Sequence, residues 1–133
     1  MKIFAQDAGW DSKVNFVDEN NVLLGYDLGQ CCCENADWFI SDTVKVNKLE
    51  GIPLDELATK IKDGVYSMDG WVFDNEYFKE VEDYSLFDEG KMVIFRIVKD
   101  DQTRFIHLFN CHNGYYGHGF EFVIGGNKKN GYL

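Results

Sequence analysis

Two short segments of this 133-residue chain carry the residue types most often used for chemistry. Residues 26–35 contain three consecutive cysteines, which are Cys31, Cys32 and Cys33. Residues 109–120 contain a cysteine and two histidines, which are Cys111, His112 and His118. Thiolate and imidazole are ligands that zinc prefers, and a thiol beside an imidazole is a common nucleophilic pair. Either chemistry requires that the two segments meet in space.

Zinc binding is the first hypothesis for these residues. The candidate ligands are Cys32, Cys33, Cys111, His112 and His118, with Cys31 as a further thiol. The spacing argues against it, since structural zinc sites usually separate paired ligands by two to four residues and neighbours on a strand point to opposite faces. The alternative is that the cysteines are buried as small hydrophobic residues. We therefore predict no cofactor and keep zinc as the alternative.

A cysteine nucleophile is the second hypothesis. His107, His112 and His118 are candidate bases, but no local signature of a cysteine hydrolase is present. By strand alternation His107 shares a face with Phe105 and Phe109, which is typical of a core histidine. No catalytic residue is predicted with this evidence.

The second segment also has a glycine-rich stretch, Asn113 to Gly119, that contains Tyr115 and Tyr116. No helix pattern follows it, and both the dinucleotide fingerprint and the P-loop require one. Paired tyrosines on such a connection are suited to recognition, because aromatic rings offer large contact area at small entropic cost. Alternatively, they pack back on the sheet.

Strand patterns dominate the elements that must position these segments. A hairpin is predicted at residues 13–17 and 22–26, and a central hairpin at 92–98 and 104–109. Further strands are predicted at 38–46 and 120–124, with a weaker pattern over 71–87 and a polar tail after Gly125-Gly126.

One helix is predicted near residues 53–63. Pro53 suits a first turn, and Leu54, Leu57 and Ile61 recur at helical spacing. The sequence therefore predicts an α+β fold, a mostly antiparallel sheet of six or seven strands with one main helix. No linker or repeat divides the chain, so residues 1–133 are predicted to form a single domain.

The charge of the chain limits its partners. The formal net charge is −10, from 13 basic and 23 acidic residues. Direct binding to nucleic acid or to an anionic membrane surface is therefore not expected. Neither a signal peptide nor an apolar run long enough for a membrane span is seen, so a cytoplasmic location with reduced thiols is expected.

Residues 74–90 carry seven of the acidic residues and one lysine, interleaved with aromatic residues. One interpretation is a solvated face that keeps the protein in solution. The other is a docking face for a protein with a basic surface, because interfaces are rich in aromatic residues. The candidate contact residues are Asp74, Glu76, Tyr77, Glu80, Glu82, Asp83 and Tyr84, together with Tyr115 and Tyr116.

The two segments resemble a family of small uncharacterised proteins of bacteriophages and bacterial genomes. The resemblance is carried by Tyr26, Gly29, Cys32, Cys33 and Glu34, and by the Asn-Gly-Tyr-Tyr-x-His-Gly-Phe element from Asn113 to Phe120. It implies an α+β domain and a phage or mobile-element origin, and it implies no activity.

The sequence thus favours a small non-enzymatic binding protein, an inhibitor that occupies a basic, nucleic-acid-binding surface of a host protein. The alternative is a metal- or thiol-dependent enzyme that uses the clustered cysteines with Cys111, His112 and His118.

Overall fold

Ten strands make up most of the chain that the computed structural model describes, which covers residues 1–29, 34–44, 64–81, 90–112 and 117–133. For Glu34, Asn35, Cys111 and His112 the backbone alone is described. The strands are β1 (Lys2–Gln6), β2 (Lys13–Val17), β3 (Leu23–Asp27), β4 (Glu34–Ser41), β5 (Gly64–Ser67), β6 (Val72–Val81), β7 (Gly90–Lys99), β8 (Gln102–His112), β9 (Gly119–Ile124) and β10 (Asn127–Tyr132).

The strands form two antiparallel sheets that pack face to face. The first sheet has six strands in the order β10-β9-β3-β2-β1-β5, and the second has four in the order β4-β8-β7-β6. Phe16 of β2 meets Trp38 of β4 edge-on, with ring centroids 5.1 Å apart. Phe122 of β9 and Phe95 of β7 have centroids 4.9 Å apart. The main core therefore lies between the sheets, as in a β-sandwich.

The prediction of an α+β fold is wrong. The described residues are nearly all β, and their one helical element is a short 3-10 turn at Gly9–Asp11. The helix predicted near residues 53–63 lies outside the described residues, so it is the strand content of the described residues that contradicts the predicted fold class. In the same part of the chain, no helix is long and apolar enough to cross a membrane.

Both predicted hairpins are confirmed. β2 pairs with β3 from Lys13 opposite Asp27 to Val17 opposite Leu23, and β7 pairs with β8 around the turn between Lys99 and Gln102. Alternating burial along β2 and β3 explains the first prediction, since one face of these strands is apolar. The central strands β7 and β8 read instead as nearly continuous apolar runs, because both of their faces are buried.

The strand count of six or seven is too low, because β1, β5 and β10 were not predicted. Strand β10 has the sequence Asn-Lys-Lys-Asn-Gly-Tyr, which lacks apolar alternation because most of its residues are exposed. Its pairing with β9 begins at Asn127 opposite Ile124, on either side of Gly125 and Gly126. Gly125 has a φ of 58°, as tight hairpin turns require. The glycine pair therefore marks a hairpin and not the end of the sheet.

A buried carboxylate ties the first hairpin to the second sheet. Asp18 follows β2, and its Oδ1 accepts hydrogen bonds of 2.9 Å from the backbone N–H groups of Asn20 and Val22. Its Oδ2 accepts a 2.9 Å bond from the N–H of Phe73 in β6. The side chain thus closes a turn and also joins the two sheets, with both oxygens satisfied.

The outer faces of the two sheets differ. On the second sheet, Phe39, Met92, Ile94 and Phe109 form a separate buried apolar cluster. His107 is fully buried on the same face, stacked on Phe39 with ring centroids 4.2 Å apart. On the first sheet the outward positions are mostly exposed or half-buried, and they include Phe4, which is 40% exposed. This open face contains the candidate site.

Candidate functional site

The two segments selected from the sequence meet in the structure. β4 pairs with β8 so that Glu34 lies opposite His112 and Asn35 lies opposite Cys111. The hydroxyl of Tyr26 donates a 2.9 Å hydrogen bond to the Phe109 carbonyl. The described residues of segments 26–35 and 109–120 are therefore adjacent, as a shared site requires.

The zinc and thiol hypotheses depend mostly on residues outside this description. Cys31, Cys32 and Cys33 are not among the described residues, and the side chains of Cys111 and His112 are not described. His118 is buried, and its Nδ1 lies 2.8 Å from the carbonyl oxygen of Asp27, so Nδ1–H donates there. Across the described residues, no group of three or more His, Cys, Asp or Glu could hold a metal ion.

Both hypotheses therefore stay predictions. Their direct test is a native mass spectrum of the protein beside a denatured one, with the rate of alkylation of each thiol. One zinc per chain, or a single thiol that reacts far faster than the others, would support them.

The acidic docking face is partly occupied by contacts within the chain. Arg96 Nε donates a 2.8 Å hydrogen bond to Asp74 Oδ2, and its Nη2 forms an ion pair with the same oxygen. This hydrogen-bonded guanidinium holds the pKa of Asp74 below its ordinary value. The same guanidinium lies 4.6 Å from the ring centroid of Tyr77, which also packs on Phe105. Asp74 and Tyr77 thus anchor Arg96 on the second sheet.

Two other predicted contact residues, Glu76 and Glu80, are exposed on β6. Glu82, Asp83, Tyr84, Tyr115 and Tyr116 lie outside the described residues. The described part of the acidic face thus divides into an internal ion pair and two exposed carboxylates.

A groove of about 870 Å³ crosses the open face of the first sheet. Its polar floor comes from neighbouring strands, because Asn15 lies opposite Gly25, Gly25 opposite Glu121, and Glu121 opposite Asn130. The remaining lining includes Gln6, Ser12, Lys13, Asp27 and Lys128, with Trp10 and Tyr132. Gly25 bears no side chain in this row, and Asn15 Oδ1 lies beside it, 2.9 Å from the position that a Cβ on Gly25 would take.

Trp10 stands on the connection between β1 and β2 and is 68% exposed. The connection is fixed by Ser12, whose Oγ accepts a 2.9 Å bond from Ala8 N–H and whose carbonyl accepts a 2.8 Å bond from Leu28 N–H. A Cβ on Gly29 would lie only 2.1 Å from the carbonyl oxygen of Trp10. Gly29, one of the residues that carry the family resemblance, is therefore required for this close backbone approach.

Tyr132 stands on the edge strand β10 and is 74% exposed. It lies opposite Gly119, and a Cβ on Gly117 would lie 3.3 Å from the Cβ of Tyr132. The following residue, Leu133, exchanges backbone hydrogen bonds of 2.8 and 2.9 Å with His118. The glycine-rich element thus holds Tyr132 through its small residues and its backbone.

Trp10 and Tyr132 were not among the residues predicted from the sequence. A signal was present for Trp10, because Gly9, Asp11 and Ser12 around it are typical of a turn, where a tryptophan has no core to join. Tyr132 has no comparable signal, since the sequence of β10 predicts only a polar tail. Glycines in both segments were singled out, but their contacts with these two aromatic residues are distant in the sequence.

A scan against protein-family models found no matching family. Searches of curated proteins and of solved structures found no match either. The groove and the residues around it are therefore the basis for assigning a function.

Proposed function

We propose that this protein is a non-enzymatic binding protein and that the groove on the first sheet is its binding site. The observation that carries the proposal is the pair of exposed aromatic side chains, Trp10 and Tyr132, beside a polar concave floor. Aromatic residues are enriched in interfaces because they bring large contact area with few rotatable bonds. Large exposed aromatic rings around one depression are thus better suited to a ligand than to water.

The backbone around both rings is held before any ligand arrives. Trp10 lies within a turn that is closed by Ser12 and packed on Gly29, while Tyr132 is paired with Gly119 in the sheet. Holding contact residues in place lowers the entropic cost of binding. The glycines of the two segments are in this view positioning residues for the groove.

The proposal is tested with a panel of immobilised oligosaccharides and extended peptides. We expect saturable binding of one class by the wild-type protein and its loss in the double variant Trp10→Ala/Tyr132→Ala. Tyr66→Ala is the matched control, because Tyr66 is an exposed aromatic residue on β5 outside the groove. If no ligand of the panel distinguishes the double variant from this control, the groove is not a binding site.

The acidic inhibitor predicted from the sequence is a second candidate. Its support is the net charge of −10 together with the exposed carboxylates of Glu76 and Glu80 on β6, an edge strand of the second sheet. A basic, nucleic-acid-binding surface of a host protein would be its target, with association driven by charge complementarity.

Charge reversal tests the acidic docking face independently of binding at the groove. Glu76→Lys/Glu80→Lys should weaken binding to basic nucleic-acid-binding proteins and reduce the dependence of that binding on salt. Glu19→Lys/Asp101→Lys makes the same change in net charge at exposed sites elsewhere and serves as the control. If both double variants lose the same amount of binding, the loss follows from net charge alone, and β6 is not a docking face.

A further inference from the structure

The groove is nearly neutral in a strongly acidic chain. Its lining has the carboxylates Asp11, Asp27 and Glu121 and the ammonium groups of Lys13 and Lys128. Glu121 and Lys128 form an ion pair with each other across β9 and β10. A polyanion would need a surplus of cations here, and a strongly basic ligand would need a surplus of carboxylates. The charge balance thus favours an uncharged ligand.

The hydrogen-bonding groups of the groove match a ligand rich in hydroxyl groups. Gln6, Asn15 and Asn130 are amides, and each carries a donor and an acceptor on one planar group. Sugar hydroxyls likewise donate and accept. Asn15 and Asn130 stand in one cross-strand row with Gly25 and Glu121 between them. Adjacent strands are about 4.8 Å apart, so the two amides stand at separate points of the groove, three strands apart.

Trp10 and Tyr132 stand on separate elements beside the groove. Trp10 lies on the connection before β2, and its carbonyl group packs on Gly29, just after β3. Tyr132 lies on β10, and a Cβ on Gly119 of β9 would lie 3.5 Å from its ring. A ligand that contacts both rings must present an apolar face to each of them. The C–H faces of successive pyranose rings have this arrangement, and aromatic rings pack well against such surfaces.

We infer that the groove binds a neutral oligosaccharide, with Trp10 and Tyr132 stacked against separate sugar rings and the amides of Asn15 and Asn130 hydrogen-bonded to hydroxyl groups between them. The volume of about 870 Å³ lies within the range of about 300–1,000 Å³ typical of ligand sites. This inference rests on the proposed function, since it names the ligand of the same groove.

Tryptophan fluorescence gives a direct first measurement. Trp10 is exposed whereas Trp38 and Trp71 are buried, so acrylamide should quench Trp10 preferentially. The probes are uncharged cello-, malto-, manno- and chito-hexasaccharides, with extended peptides as the comparison. We expect one hexasaccharide to protect Trp10 from quenching in a saturable manner, with an affinity that added salt leaves unchanged, because the ligand has no charge.

Variants measured by calorimetry assign that binding to the groove. Trp10→Ala and Tyr132→Ala should each weaken hexasaccharide binding by about three- to tenfold, the range expected for loss of one aromatic stacking contact. Gly25→Val should abolish it, because the added side chain projects into the floor and displaces the Asn15 amide, whose Oδ1 would lie 2.9 Å from the new Cβ. Tyr66→Ala, outside the groove, should bind as the wild type does.

The outcomes separate the inference from the proposed function. Loss of hexasaccharide binding in Gly25→Val but not in Tyr66→Ala supports both. If no hexasaccharide binds and an extended peptide binds through Trp10 and Tyr132, the oligosaccharide inference is overturned and the binding protein stands. If neither probe class depends on the groove, both are overturned.

Discussion

The outer faces of the two antiparallel sheets differ in how much of them is buried. On the second sheet, Phe39 and Ile94 are fully buried, so both faces of that sheet contribute to the core. On the first sheet, the outer face carries exposed Phe4 and the groove bordered by Trp10 and Tyr132. The second sheet thus buries apolar side chains on both faces, whereas the first leaves its outer face open, and the proposed binding groove lies there.

The difference is already visible in the sequences of the strands. β2 and β3 alternate between buried and accessible residues, as expected when one face is covered. β7 and β8 contain unbroken buried runs such as Met92 to Phe95. Apolar content on both faces of a strand therefore distinguishes a sheet used for stability from a sheet that can present a binding surface.

The largest expected effect on stability comes from replacing a phenylalanine by alanine on each of the two outer faces. Phe39→Ala should lower the free energy of unfolding by about 3–5 kcal/mol, because it leaves a cavity beside His107 and Phe109. Phe4→Ala should cost about 1 kcal/mol or less, since Phe4 is 40% exposed. Urea denaturation of both variants measures the difference. Equal losses would show that the two faces are not used differently.

The free energy of unfolding should also depend on pH through His107, on the buried outer face of the second sheet. Burial lowers the pKa of His107 from 6.5 to about 4. The shift occurs even though Nε2–H donates a hydrogen bond to the Thr43 carbonyl. Nδ1 has no hydrogen-bond partner among the described residues. As the pH falls from 6.5 to about 4, the unfolded chain takes up a proton that the folded protein excludes. Stability should therefore fall across this window, by about 3 kcal/mol in total.

Two comparisons isolate this effect. His107→Phe keeps an aromatic ring beside Phe39 and should flatten the pH dependence between 6.5 and 4, whatever its stability at neutral pH. The Asp74 carboxyl, whose pKa Arg96 lowers from 3.8, loses most of its stabilising contribution below that value, so it adds little to the change across the window. Urea midpoints measured at several pH values decide the matter. An unchanged slope in His107→Phe would assign the dependence to other groups.

Asp18 tests the connection between the sheets, with a smaller expected effect. Asp18→Asn replaces one of the oxygens that accept N–H bonds from Val22 and Phe73 by an amide nitrogen, which cannot accept. We expect a loss of about 1–3 kcal/mol in the free energy of unfolding and faster hydrogen exchange at Phe73. Asp69→Asn, at an exposed site, is the control. Slow exchange at Phe73 in Asp18→Asn would show that the carboxylate does not hold β6.

The second sheet could be predicted from the sequence more completely than the first. Apolar runs located β7 and β8 of the second sheet, and alternation with turn residues located β2 and β3 of the first. The strands that were not predicted, β1, β5 and β10, all belong to the first sheet. β10 was not predicted because Lys128, Lys129 and Asn130 are exposed, so its sequence has no apolar alternation. The order of strands in the sheets was not predicted either, since it is set by contacts between residues far apart in the chain.

The candidate site was predictable only in part. The glycine at position 29 was recognisable as special, and so was the glycine-rich element before Phe120. The role of these glycines was not predictable, because Gly29 allows the close approach of the Trp10 carbonyl and Gly117 leaves room for Tyr132. A pattern along the chain identifies a residue that must be small, whereas only the fold identifies the neighbour that requires it.

The smallest expected effect on stability belongs to the open face. Trp10 and Tyr132 are 68% and 74% exposed, so little contact with the core is lost when they are shortened. Trp10→Ala/Tyr132→Ala should therefore stay within about 0.5 kcal/mol of the wild type in the free energy of unfolding, while it loses ligand binding. Thermal unfolding followed by circular dichroism measures this. A loss as large as that of Phe39→Ala would mean that both aromatic residues support the fold, and the open face would then resemble the buried one. A stable variant without binding would instead show that the first sheet keeps its outer aromatic residues for a ligand.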